Sequence, residues 1–156
     1  LASLATPPLD PRSQAAAPAV LVVEDDHEIA AAIREALEDE GYRAAIAGSV
    51  AEAGAHFESV RPALVLLDWN LPDGSGEDVV RAIRPRDASV PIVVMSAARD
   101  GLVASWAVDA RDRLAKPFDL ERLVGVVRRY CGPPGGPGPS DARASRPEFG
   151  ARPKPP

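Results

Sequence analysis

The sequence predicts an α/β domain in which a five-stranded, doubly wound parallel sheet is flanked by five helices. Three short apolar runs carry most of that prediction: AVLVVED at 19–25, ALVLLD at 63–68 and PIVVMSA at 91–97. Each is too short for a helix, is rich in Val, Leu or Ile, and does not alternate with polar residues. That is how a strand covered on both faces reads. The second observation is the helical spacing of the segments between the runs, as where Ile29, Ile33, Ala36 and Leu37 recur among Glu28, Arg34, Glu35 and Glu38. Such a pattern makes one apolar stripe on an otherwise charged helix. Two weaker strands, RAAIA at 43–47 and DRLAK at 112–116, complete five repeats of strand then helix. Short loops and right-handed crossovers then leave an open parallel sheet as the natural architecture.

Local signals divide the chain in the same places. Ser49 with Glu52 makes a capping box and Ser75 with Asp78 a looser one. Asp119 stands just before the apolar stripe Leu120, Leu123, Val124 and Val127, and Gly41 closes the first helix. A chain of 156 residues buries one core rather than two. Its prolines and glycines crowd the ends, so residues 1–18 and 133–156 are expected to be disordered tails around a domain at 19–132.

Residues 19–132 hold 20 Asp plus Glu against 13 Lys plus Arg, a net of −7. This balance argues against duplex DNA as a direct partner. The tail's scattered basic residues read as a solvated segment, either a linker or a recognition segment. No basic region followed by an apolar run opens the chain, and no stretch reaches the ~18 apolar residues of a membrane span, so a cytoplasmic protein is expected. Cys131 has no partner for a disulfide and is expected to fill space at the end of a helix.

Ligands of doubly wound sheets sit beyond the C-terminal ends of the strands, where the winding reverses. The predicted strand ends carry unusual residues there: Glu24, Asp25 and Asp26 after the first, Asp68 on the third, Ser96 on the fourth and Lys116 on the fifth. Gathered carboxylates repel one another unless a cation neutralises them, and an all-oxygen cluster with room for water suits Mg2+ better than zinc. Lys116 is set apart because every other basic residue of 19–132 is Arg. A compact, mobile ammonium can follow a phosphate or pair with a carboxylate where a planar guanidinium would need a fixed fork.

Four motifs in order resemble the receiver domains of two-component response regulators, a CheY-like, flavodoxin-like family: VLVVEDD at 20–26, LVLLDWNLPDGSG at 64–76, VVMSA at 93–97 and LAKPF at 114–118. The resemblance spans about residues 19–131 and implies the strand order 2-1-3-4-5. By it, Asp68 is the phosphoacceptor, a carboxylate nucleophile that forms an acyl phosphate. Asp25 is a direct Mg2+ ligand, Glu24 its partner through metal-bound water, and Asn70 offers its backbone carbonyl. Ser96 is the hydroxyl that turns to the new phosphoryl oxygen, and Lys116 pairs with another. The Lys116–Pro117 bond is expected to be cis. Together these groups would supply positioning and charge rather than further covalent chemistry.

The implied partners are a sensor histidine kinase or histidine phosphotransfer protein upstream, and an effector or a second copy downstream, the latter through the face of the fourth and fifth helices. No output domain follows residue 132, so a stand-alone receiver is expected, one that modifies only itself and is not an enzyme on other substrates. Other residues have plainer readings: Asp26 caps the first helix, His27 is a polar first-turn residue, Trp69 and Trp106 serve packing or an interface, and Asp73 with Gly74 turns the chain after Pro72.

Arg113 departs from the pattern, since many family members have an aromatic three residues before the lysine. An arginine there is expected to stay exposed or to pair with Asp109 or Asp112. This keeps open a docking module whose partner binds regardless of phosphate. A Mg2+-dependent phosphohydrolase is the weaker alternative, because no cap segment encloses a substrate and Asp68 is followed by Trp69 and Asn70 rather than a D-x-D pair.

Overall fold

The computed structural model describes residues 17–97 and 110–134. Five strands form one parallel sheet: β1 (Ala19–Val23), β2 (Arg43–Ala47), β3 (Leu64–Asp68), β4 (Ile92–Ala97) and β5 (Asp112–Lys116), in the order β2-β1-β3-β4-β5. This is the predicted topology. The winding reverses between β1 and β3, whose registers include Val20 opposite Leu64 and Val23 opposite Leu67. Four helices lie among the described residues: α1 (His27–Asp39), α2 (Val50–Val60), α3 (Gly76–Ile83) and α4 (Leu120–Cys131). The helix expected between β4 and β5, and Trp106 with it, lies outside them. A two-residue antiparallel ladder, Asn70–Leu71 with Gly74–Ser75, shapes the turn after β3.

Every residue of β1 and β3 is buried, which explains their unbroken apolar sequence. Alternate side chains feed the two faces of the one sheet, each covered by its own cluster. Leu21, Val23, Val65, Leu67 and Val94 pack with Ala53 and Phe57 of α2 and Val79 and Ile83 of α3. Val20, Val22, Leu66, Met95 and Leu114 pack with Ile33 and Leu37 of α1 and Leu123 and Val127 of α4. Burial of this kind supplies roughly 25 cal/mol for each Å² of apolar surface removed from water.

The predicted caps form. The Asp26 carboxylate accepts from the N–H groups of Glu28 (2.9 Å) and Ile29 (3.1 Å), Ser49 from Glu52 (3.1 Å), and Asp119 from Arg122 (2.7 Å). Glu52 returns the favour by accepting from the Gly48 N–H at 2.8 Å. Gly41 follows α1 at φ +94, a left-handed angle that suits glycine.

One element of the predicted stripe on α4 is corrected. Leu120 is 40% exposed, and the buried positions are Leu123, Val127 and Cys131. The first turn of α4 overhangs the sheet's end, so Leu120 faces a cleft with Ile29, Ala32 and Phe118 instead of the core.

Candidate functional site

The rim at the C-terminal ends of β1, β3, β4 and β5 gathers the predicted residues. Glu24 extends β1, its N–H bonded to the Ala47 carbonyl at 2.9 Å, which turns its side chain into the rim and leaves it 2% exposed. Asp25 is exposed beside it, and Asp26 is occupied as the cap of α1. Asp68 ends β3, opposite Met95 of β4, and is 6% exposed. Ser96 and Ala97 of β4 stand in register with Ala115 and Lys116 of β5.

The Lys116 ammonium donates to Glu24 Oε2 at 2.9 Å and lies 3.5 Å from Asp68 Oδ1. Glu24 Oε1 accepts from the Asp26 N–H at 3.2 Å, and Asp68 Oδ1 receives a long contact from the Asn70 N–H at 3.5 Å. The Lys116–Pro117 peptide is cis.

These contacts do not fully settle the charge. Burial first, then the nearby Glu24 carboxylate, push the Asp68 pKa from 3.8 up to about 6, although Lys116 pulls the other way. Burial works to lower the Lys116 pKa, but the Glu24 hydrogen bond and the charges of Asp68 and Glu24 outweigh it and leave the ammonium above its ordinary value. Glu24, Asp25 and Asp68 each offer a carboxylate oxygen, all within 4.8 Å of one another. A hard cation with oxygen ligands fits that donor set. The Ser96 hydroxyl is buried and has no hydrogen-bond partner among the described residues. A buried hydroxyl left unpaired among these residues is costly, and it faces the rim with an unused donor and acceptor.

The turn after β3 is held more tightly than its sequence suggests. Read as a simple turn residue, Asp73 also reaches α2, accepting from the N–H groups of Val50 (2.8 Å) and Ala51 (3.2 Å). The Val50 hydrogen bond is the main cause holding its carboxylate below the usual range. Trp69 packs on the core, and a Cβ added at Gly76 would come within 2.6 Å of its ring, so only glycine lets the loop close there. A side chain binding a helix more than twenty residues away leaves no local pattern to find.

Of the places expected for Arg113, full exposure and a side-chain pair with Asp112 are not found. The residue is half-buried, and its Nη1 is buried without a hydrogen-bond partner among the described residues. The Asp112 carboxylate takes the Arg113 backbone N–H (2.8 Å), the Arg129 guanidinium (3.4 Å) and the Tyr130 hydroxyl (3.3 Å) instead of the Arg113 side chain. Asp109 lies outside the described residues. Cys131 is buried as expected, and burial pushes its thiol up to about 12, so it stays protonated.

A doubly wound parallel sheet whose switch-point rim presents three carboxylates, a lysine and a hydroxyl unpartnered among the described residues defines the class as an α/β protein with a charged site at the strand ends. Within that class the chain belongs to the response regulator receiver domain family, whose model matches residues 20–128. It is similar to the transcriptional regulatory protein PrrA of Mycobacterium leprae, with 39% identity over 113 residues, covering 71% of this chain and 48% of that protein. It is likewise similar to the DNA-binding response regulator MtrA of the same organism, 39% identical over 111 residues, 70% of this chain and 49% of that one. The chain thus spans about half the length of these curated relatives. Among solved structures, it resembles the receiver domain of the Pseudomonas aeruginosa sensor histidine kinase PA1611, which holds a magnesium ion in its active-site cleft. The TM-score is 0.65 at 28% identity, covering 74% of this chain and 98% of that one.

Those relatives do not sit with the expectation that DNA plays no direct part, since one is named as DNA-binding. The expectation of a stand-alone receiver goes no further either, because as much chain again accompanies the matched region in them. Among the described residues no helix is long and apolar enough to cross a membrane.

Proposed function

We propose that the chain accepts a phosphoryl group on Asp68 from the phosphohistidine of a sensor histidine kinase or histidine phosphotransfer protein. The change is then passed on through protein contacts. The observation that carries this reading is the company of Asp68: a buried carboxylate with its pKa raised to about 6, a lysine 3.5 Å away and a buried hydroxyl with no partner among the described residues.

In the proposed step an Asp68 carboxylate oxygen attacks phosphorus, the P–N bond of the donor breaks, and the imidazole leaves with its electron pair and takes up a proton. An acyl phosphate remains on Asp68, and water later cleaves it to the free carboxylate and inorganic phosphate. Lys116 moves from Glu24 to a phosphoryl oxygen, a shift its single flexible ammonium can make. The Ser96 hydroxyl donates to a second phosphoryl oxygen and gains the partner it lacks. Glu24, Asp25, Asp68 and the Asn70 backbone carbonyl are the residues that would hold Mg2+. When bound, the ion would offset the negative charge gathered where the phosphoryl group lands. The magnesium-bound PA1611 receiver supports this part of the reading. The phosphoryl group rests on the chain's own side chain between donor and water, so the product that carries the signal is the modified chain itself.

The test is intact-mass spectrometry after incubation with Mg2+ and acetyl phosphate. One phosphoryl adduct is expected, absent when the metal is chelated and absent in Asp68→Asn. A folded chain that gains no adduct from a donor active on another receiver would overturn the proposal.

A further inference from the structure

The hairpin that follows β3 carries Asn70, whose carbonyl is one of the groups proposed to hold the cation, and it is pinned at both ends. Its two short strands pair Asn70 with Ser75 and Leu71 with Gly74, so Pro72 and Asp73 stand at the tip. The base is tied to its own flanks: the Gly76 N–H donates to the Trp69 carbonyl at 2.8 Å, and the Ser75 N–H to the Asp78 carboxylate of α3 at 2.9 Å. The tip is tied to α2, where Asp73 accepts from the N–H groups of Val50 at 2.8 Å and Ala51 at 3.2 Å. A ladder this short has little stability of its own, so its shape depends on these anchors. Packing leaves it little play: a Cβ added at Gly74 would lie 2.6 Å from Asp78 Oδ2 on one side and 3.1 Å from Val50 Cγ2 on the other.

The start of α2 explains why a distant carboxylate is welcome there. A helix opens with N–H groups that have no intrahelical partner, and the Ser49 hydroxyl takes only that of Glu52. Those of Val50 and Ala51 are left for another part of the chain, and Asp73 takes both. Its negative charge suits the positive end of the helix. The segment leading into α2 also seats the other side of the cation site, because the Glu24 N–H is bonded to the carbonyl of Ala47, two residues before Ser49. Asp73 thus joins the hairpin that bears Asn70 to the segment that fixes Glu24.

We propose that Asp73 is a positioning residue for the cation at the rim, holding the hairpin against α2 so that the Asn70 carbonyl is preset for Mg2+. It acts through Asn70 and not as a ligand: the carboxylates within reach of one ion are Glu24, Asp25 and Asp68. A ligand already in place spares the cost of ordering it when the ion binds. The inference rests on the reading of the rim as a Mg2+ site and concerns the affinity for the metal, not the identity of the phosphoacceptor.

The test is a Mg2+ titration of the full, unphosphorylated, 15N-labelled chain followed by amide shifts, which needs no phosphodonor. Asp73→Ala is expected to raise the Kd for Mg2+ about tenfold, the low end for a group that orients a metal ligand from behind. Asp73→Asn keeps one acceptor oxygen without the charge and is expected to recover part of that loss. Ser49→Ala removes a different bond from the same helix end, and is expected to lower Tm about as much as Asp73→Ala while leaving the Kd unchanged. In uptake from acetyl phosphate, Asp73→Ala is expected to need more Mg2+ yet to reach the unsubstituted rate once Mg2+ saturates.

An unchanged Kd in Asp73→Ala would overturn the proposal. So would equal losses in Asp73→Asn and Asp73→Ala, which would assign the effect to charge alone, or an equal loss in Ser49→Ala, which would assign it to helix capping. Failure of the wider reading looks different. An unsubstituted chain that binds no Mg2+ overturns both, whereas Mg2+ binding that depends on Asp73 without any phosphoryl adduct supports this proposal and strikes only at Asp68 as acceptor.

Discussion

The rim and the cleft between β5 and α4, whose lining includes Asp112, Arg113, Arg122 and Arg129, are both dense in charge, yet they meet water differently. At the rim, Glu24 and Asp68 are almost wholly buried, and burial first, with repulsion from Glu24 second, keeps the Asp68 pKa raised despite Lys116. In the cleft, Arg122 and Arg129 lie in solvent, where water and salt screen them and like charges coexist at little cost. Burial turns the first set into groups with altered reactivity. Exposure leaves the second set nearly silent in stability. The domain therefore gives up stability at the rim and not in the cleft, as sites that shift pKa values generally do.

The largest effect that would break this comparison comes from removing the buried charge. Asp68→Asn is expected to abolish the proposed phosphoryl uptake and, in metal-free buffer at neutral pH, to raise unfolding free energy by on the order of 1 to 2 kcal/mol. Urea titration checks it, and an unchanged or lowered midpoint would mean that Lys116 already balances the rim.

A smaller effect follows from pH. Asp68 holds its proton more tightly in the folded chain, with a pKa of about 6, than in the unfolded one, near 3.8. The group therefore opposes folding above pH of about 6 and ceases to do so below about 4. In metal-free buffer the stability gap between Asp68→Asn and the unsubstituted chain should narrow, by about 1 kcal/mol, as pH falls through this window. Denaturation curves at stepped pH report it, and a constant gap would contradict the cause assigned to the shift. The smallest effect sharpens the other side: Arg122→Ala should change unfolding free energy by less than about 0.5 kcal/mol, as for exposed residues generally. A larger loss in thermal melts would mean that the cleft is structural.

Much of this could be read from the chain alone, for reasons particular residues make plain. The strands β1, β3 and β4 announce themselves because burial on both faces removes every polar position, and their end residues then place the rim without any knowledge of side-chain contacts. Asp26, Ser49 and Asp119 are legible as caps because their partners lie within three residues. What stayed hidden depends on distant pieces of chain. Asp73 reaching Val50 and Ala51, Asp112 choosing Arg129 and Tyr130 over Arg113, and Leu120 missing the core all follow from how elements stack, which periodicity does not encode. The arginine stripe is partly visible as Arg122 and Arg129 seven residues apart, but only the sheet brings Arg113 beside it.

The central claim is that the rim serves one carboxylate, Asp68, as acceptor, and the most direct measurement locates the phosphoryl group. Phosphorylated chain is treated with borohydride, which reduces an acyl phosphate to the alcohol and turns that aspartate into homoserine, and its peptides are then sequenced by mass spectrometry. Homoserine at position 68, and at no other acidic residue, is the result expected. Homoserine at Asp25 or Asp26, or an adduct that resists borohydride because it sits on a hydroxyl such as Ser96, would contradict the account.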